Sequence, residues 1–139
     1  MTSLASTGIL DTNALIRLVE VDPGRLPDDS LITTVTLTEL TVGPVVTDDP
    51  VQRTARQQHL QLAESDLGAP VPFDAAAARA FGPVAAGLRA AGRKPSARTF
   101  DAMIAAIAIS RGIPVYTFNP KDFAATGVEV VDLNPVESG

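Results

Sequence analysis

The sequence has no cysteine and no tryptophan, and only one histidine and one tyrosine among its 139 residues. Without cysteine there is no disulfide framework, no thiolate metal site and no cysteine nucleophile, a composition that suits a reducing cytoplasm. Any metal must be held by oxygens. The one histidine, His59, stands in the polar run RQQHLQ, so two-histidine acid–base chemistry and His-rich zinc sites are excluded. A Ser-His-Asp triad would have to use this imidazole, whose surroundings read as a solvated helix face. No stretch approaches the roughly 20 apolar residues that span a bilayer, and MTSLAST lacks the basic start of an export signal. A soluble, cytoplasmic chain with no membrane partner is expected.

Positive charge is also scarce: 11 basic residues face 16 acidic ones, a net charge of −5. Taken as an average this argues against binding nucleic acid, whose phosphates demand Lys and Arg. The charge is segregated, however. No acid lies between Asp74 and Asp101, and that interval holds Arg79, Arg89, Arg93, Lys94 and Arg98, five of the eleven basic residues. Either these side chains are scattered over a solvated helix and turn, or they form a positive approach for a phosphate backbone.

The length suits one domain spanning 1–139, with a core from about 8 to 133 and no need of disulfides. Short β-rich runs alternate with helical patterns. TGIL reads as a strand and TNALIRLV as a helix burying Leu15, Leu18 and Val19; LITTV is a second strand and TLTELTVG a helix ending at Gly43. Asp49-Pro50 opens a helix through HLQLAES, and VPF is a short strand. Asp74 caps a helix with Ala77, Phe81, Val84 and Leu88 inward, which Gly82-Pro83 should kink. AAGRKPSAR is a loop, TFDAMIAAIAISRG a buried helix ending at Gly112, and IPVYTF and VEVVDL the last strands, separated by NPKDF. Strands separated by helices imply a mostly parallel sheet covered on both faces, a three-layer α/β/α sandwich.

Acids recur at one kind of place in this pattern. Asp11 ends the first strand, Glu39 lies in the helix after the second, Asp101 starts the most hydrophobic helix, and Asn119 and Asp122 follow IPVYTF. Each has an ordinary explanation: Asp11 as a helix cap, Glu39 as a surface residue, Asp101 as a complement to its helix dipole, Asp122 as a turn cap. Their common location is harder to dismiss, because in a doubly wound sheet all of them fall on the rim where ligands bind. Carboxylates gathered there raise one another's pKa unless a cation sits among them. Hard divalent ions such as Mg²⁺ want such oxygens.

The blocks ILDTNALIRL, TLTEL and RTFDAMIAAIAISRGIPVYTFNPKDF, in this order and spacing, resemble the motifs of PIN-domain proteins, in particular the VapC toxins of bacterial type II toxin–antitoxin pairs. The resemblance implies a PIN-like sandwich and a Mg²⁺- or Mn²⁺-dependent endoribonuclease; the low content of aromatic residues argues against a base-stacking platform, so a structured RNA such as tRNA or rRNA, recognised by shape, is the expected substrate. The resemblance further implies metal-binding and catalytic acids at Asp11, Glu39 and Asp101, with Asn13 and Thr117 orienting them. The family's fourth acidic position falls on Asn119, an amide, so Asp122 is the nearest substitute. By the same resemblance the chain would form a homodimer, and a heterotetramer or larger assembly with a VapB-type antitoxin. Arg79, Arg89, Arg93, Lys94 and Arg98 would then steer RNA. The rivals are a receiver-like or non-catalytic PIN-like domain that binds metal and partners without cutting, and a DNA nuclease on the same scaffold.

Overall fold

The computed structural model describes residues 6–94 and 98–136. Its sheet has four parallel strands in the order β2-β1-β3-β4. These are β1 (Thr7–Leu10), β2 (Asp29–Leu31), β3 (Val115–Thr117) and β4 (Val130–Asp132). Two-residue alternation sends Ile9 and Val115 into one core and their neighbours Leu10 and Tyr116 into the other.

Helices α1 (Thr12–Ile16), α2 (Thr34–Val42), α3 (Pro50–Asp66), α4 (Ala75–Ala90) and α5 (Thr99–Arg111) cover both faces. Ala77, Val84 and Leu88 of α4 and Ile104 and Ile107 of α5 pack on the Ile9 side. Ala14 and Leu15 of α1, Leu40 of α2 and Ala63 of α3 pack on the Leu10 side. The three-layer α/β/α arrangement expected from the sequence is therefore present.

Local chemistry sets the helix boundaries. Asp49 and Asp74 accept hydrogen bonds from Val51 and Ala77 as the N-caps of α3 and α4. Gly112, at φ 66°, closes α5 in the left-handed conformation open to glycine. α4 runs through Pro83 to Ala90 as one element.

Three expectations need correction. The helix after β1 stops at Ile16, and Val19 is 95% exposed while Val21 is buried; a five-residue helix has no second turn on which the i, i+3, i+4 spacing could act. The second strand spans Asp29–Leu31 rather than LITTV, because the Thr33 hydroxyl caps α2 by accepting from the Thr36 amide at 3.2 Å. VPF contributes a single parallel bridge, Thr33 to Val71, at the outer edge beside β2. The loop expected over 90–98 lies partly outside the described residues.

One close approach is testable. A Cβ on Gly87 would sit 2.3 Å from the Ala125 carbonyl oxygen, whereas one on Gly82 would meet nothing within 4 Å. Gly87→Ala should therefore cost about 1–3 kcal/mol through overpacking. Gly82→Ala should gain about 0.5–1 kcal/mol from helix propensity. Denaturant midpoints of the two variants check both signs.

Candidate active site

The strand order changes direction at β1. The chain leaves β1 for β2 on one side and returns through four helices to β3 on the other, so the crevice beyond the carboxyl ends of β1 and β3 is the switch point where ligands bind in open α/β sheets. Asp11 follows β1 at this point. Its Oδ1 accepts from the Ala14 amide at 2.8 Å and its Oδ2 from the Thr117 hydroxyl at 2.6 Å, and it is 5% exposed. It is thus both the cap of α1 and a member of the rim. Burial raises its pKa, the two hydrogen bonds oppose this, and the charge of Asp122 adds to the rise.

Glu39, half-buried in α2, is held from α1. The Thr12 hydroxyl donates to Glu39 Oε1 at 2.7 Å and lies 3.0 Å from the Thr36 hydroxyl. Since Thr12 has one proton and gives it to the carboxylate, Thr36 donates to Thr12. The pKa of Glu39 is raised by burial and by Asp11, against the Thr12 hydrogen bond.

Asp101 sits in the first turn of α5, which runs antiparallel to the strands and so begins at their carboxyl edge. Its pKa is pushed up to about 6, first by burial, then by the charges of Asp122, Asp11 and Glu39, with Arg98 opposing. The Arg98 guanidinium lies 3.8 Å from Asp101 and is hydrogen-bonded to Asp122. Asp122 belongs to the 3-10 turn Pro120–Phe123. The charges of three carboxylates therefore reach Asp101 across the crevice.

Other expected residues divide. Thr117 holds Asp11 as expected and also accepts from the Asn119 amide at 2.9 Å. The exposed Asn119 contributes that backbone group, and it is Asp122 whose charge reaches the other acids. Asn13 makes no side-chain hydrogen bond to the acids among the described residues; the adjacent Thr12 does that work, because its hydroxyl and not the amide meets α2.

In the basic run, Arg98 is engaged by Asp101 and Asp122, and Arg93 donates to the Lys121 carbonyl at 2.7 Å, one residue from Asp122. Arg79, Arg89 and Lys94 are exposed and make no ion pair among the described residues. His59 is half-buried and lines a cavity shared with Thr12 and Glu39, rather than standing on a solvated face. The polar composition of RQQHLQ could not reveal this, since the cavity forms only where α1, α2 and α3 meet.

Chemically the donors suit a hard divalent cation: all are oxygens, and their raised pKa values mark negative charge without enough compensation. As the side chains stand, no three His, Cys, Asp or Glu groups among the described residues are gathered tightly enough to enclose an ion.

Comparison with known proteins bears on the same crevice. Residues 8–129 match the PIN domain. The chain is 35% identical over 131 residues to Ribonuclease VapC5 of Mycobacterium tuberculosis H37Rv, covering 90% of this chain and 91% of the relative. It is similar to the crystal structure of VapBC-5, a member of the VapBC family of toxin–antitoxin systems from the same organism, with TM-score 0.75, 34% identity, and 91% and 98% of the two chains covered. DNA-bound VapBC from Salmonella typhimurium gives TM-score 0.69 at 26% identity over 94% of this chain and 100% of the other.

The electrostatics predict a pH-dependent stability. Folded Asp101 binds its proton more tightly than the unfolded chain does, so its contribution is fully present below pH 3.8 and is lost as pH rises to about 6. In metal-free buffer at pH 7.5, Asp101→Asn should be more stable than the parent by about 1–2 kcal/mol after allowance for solvent screening. Urea midpoints of both proteins from pH 3.5 to 8 should diverge through that window; a constant gap would contradict the charge argument.

Proposed function

The chain belongs to the PIN-domain family, and we propose that it is a VapC-type endoribonuclease, the toxin of a type II toxin–antitoxin pair, dependent on Mg²⁺ with Mn²⁺ as a substitute. The observation that carries this reading is the gathering of Asp11, Glu39 and Asp122 around Asp101 at the switch point of the sheet, where the charges of all three act on it. The reading is supported by 35% identity to Ribonuclease VapC5 across nine-tenths of the chain.

Asp11 and Asp101 are the residues that would hold the ion, joined by Glu39 or Asp122. When bound, a hard divalent cation supplies charge neutralisation for the acids and the scissile phosphate, and acidifies a water. The chain's own groups do the rest. Thr117 and the Ala14 amide fix both oxygens of Asp11. Thr12 fixes Oε1 of Glu39, leaving Oε2 to orient the attacking water and take its proton. The raised pKa of Glu39 suits it to that task. Because water attacks and not the ribose 2′-hydroxyl, the products carry 5′-phosphate and 3′-hydroxyl ends. Of the basic run, the exposed Arg89 and Lys94 guide structured RNA to the crevice, recognised by shape, while Arg93 and Arg98 brace the turn and the acids there. A VapB-type antitoxin silences the enzyme in the cytoplasm, in a heterotetramer or larger assembly built on a toxin homodimer. The loose carboxylate cluster favours one second reading, a PIN-like domain that binds without cutting.

Incubating the purified protein with labelled tRNA and rRNA fragments decides between the two. Cleavage should require Mg²⁺, stop with EDTA, and leave ends that ligate without prior phosphorylation. Asp11→Asn and Asp101→Asn should each lower kcat by about 100-fold or more. Thr117→Val, which frees Asp11, should cost about 10–100-fold. Cleavage persisting in Asp11→Asn protein would sink the catalytic assignment.

A further inference from the structure

We propose that the cavity beside Glu39 is a nucleotide-binding subsite, in which Arg56 and His59 hold the RNA unit next to the cleaved phosphodiester and set sequence preference there. This rests on the ribonuclease reading. The cavity has a volume of about 170 Å³. Glu39 and Thr12 form the side toward the acids, Ile16 and Leu40 supply apolar surface, and Arg56 and His59 enter from α3. It is smaller than the roughly 300–1,000 Å³ of drug-sized sites. A single base, or a ribose with its phosphate, is of the matching size.

The charges point the same way. Arg56 and His59 are three residues apart and share one face of α3. Neither makes an ion pair among the described residues, in a chain of net charge −5. Arg56 is positioned by the donation of its Nη1 to the Gly43 carbonyl at 2.9 Å. A Cβ on Gly43 would come within 3.3 Å of the arginine stem, so the missing side chain lets the arginine lie against α2. The remaining guanidinium N–H groups are suited to a phosphate, and an imidazole beside apolar side chains is suited to stacking on a base. A negative ligand beside Glu39 needs such donors to offset the acid.

His59 is the only histidine, so its imidazole proton signal is a unique reporter in the whole protein. Wild-type protein is titrated with AMP, GMP, CMP and UMP, with inorganic phosphate, and with a capped acidic peptide. At least one nucleotide should shift the signal saturably and more strongly than phosphate, with affinity reduced about tenfold in Arg56→Gln. No shift with any nucleotide at millimolar concentration, an equal shift with phosphate, or a shift with the peptide alone would each overturn the proposal. With tRNA and rRNA fragments, His59→Ala and Arg56→Gln should raise KM about tenfold with kcat within about threefold, and change the base found beside the cut. Unchanged KM and cut sites overturn the subsite and leave the nuclease standing. Saturable nucleotide binding by a wild-type protein that cuts nothing overturns the nuclease and leaves the subsite. Should Arg56→Gln fail to fold, the wild-type titration and His59→Gln still decide.

Discussion

Asp11, Glu39 and Asp122 each make it harder for Asp101 to ionise, and the crevice that holds them is organised around that repulsion. Burial raises the pKa of Asp11, Glu39 and Asp101 before any neighbour is considered. The protein compensates in part. Thr117 and the Ala14 amide donate to Asp11, Thr12 donates to Glu39, and Arg98 lies between Asp101 and Asp122. What remains uncompensated is a demand for a cation, and the surrounding packing keeps it in place.

That packing is two cores rather than one. Ile9 and Leu10, adjacent in β1, point to opposite faces, as do Val115 and Tyr116 in β3. Because both faces are filled by helices, the two strands cannot shift relative to each other without exposing apolar surface. Thr117 therefore stays opposite Asp11. The short α1 is part of the same arrangement: Asp11 caps it, Thr12 turns toward α2, and the Ala14 amide donates to the capping carboxylate.

Positive charge is distributed by function rather than by position in the chain. Arg98 belongs to the acids, Arg93 braces the turn that carries Asp122, and Arg79, Arg89 and Lys94 are left on the surface. Arg56 and His59, far from that run in sequence, line the same cavity as Glu39. A negatively charged protein thus places basic side chains on two sides of an acidic crevice.

The alternation of strands and helices, the caps at Asp49 and Asp74, the close of α5 at Gly112, and the placing of Asp11, Glu39 and Asp101 on one rim are legible in the order of residues alone. These are read from period, turn chemistry and the geometry of parallel sheets, all of which act locally or follow from topology. The order of residues misleads at Val19 and the LITTV run, where a side-chain cap or a short helix overrides the hydrophobic pattern. Only the tertiary structure decided that Thr12 rather than Asn13 supports Glu39, that Asp122 rather than Asn119 joins the acids, and that His59 lines a cavity. Each of these depends on which side chains from separate helices and turns come within a few ångströms, and no spacing along a single segment encodes that distance.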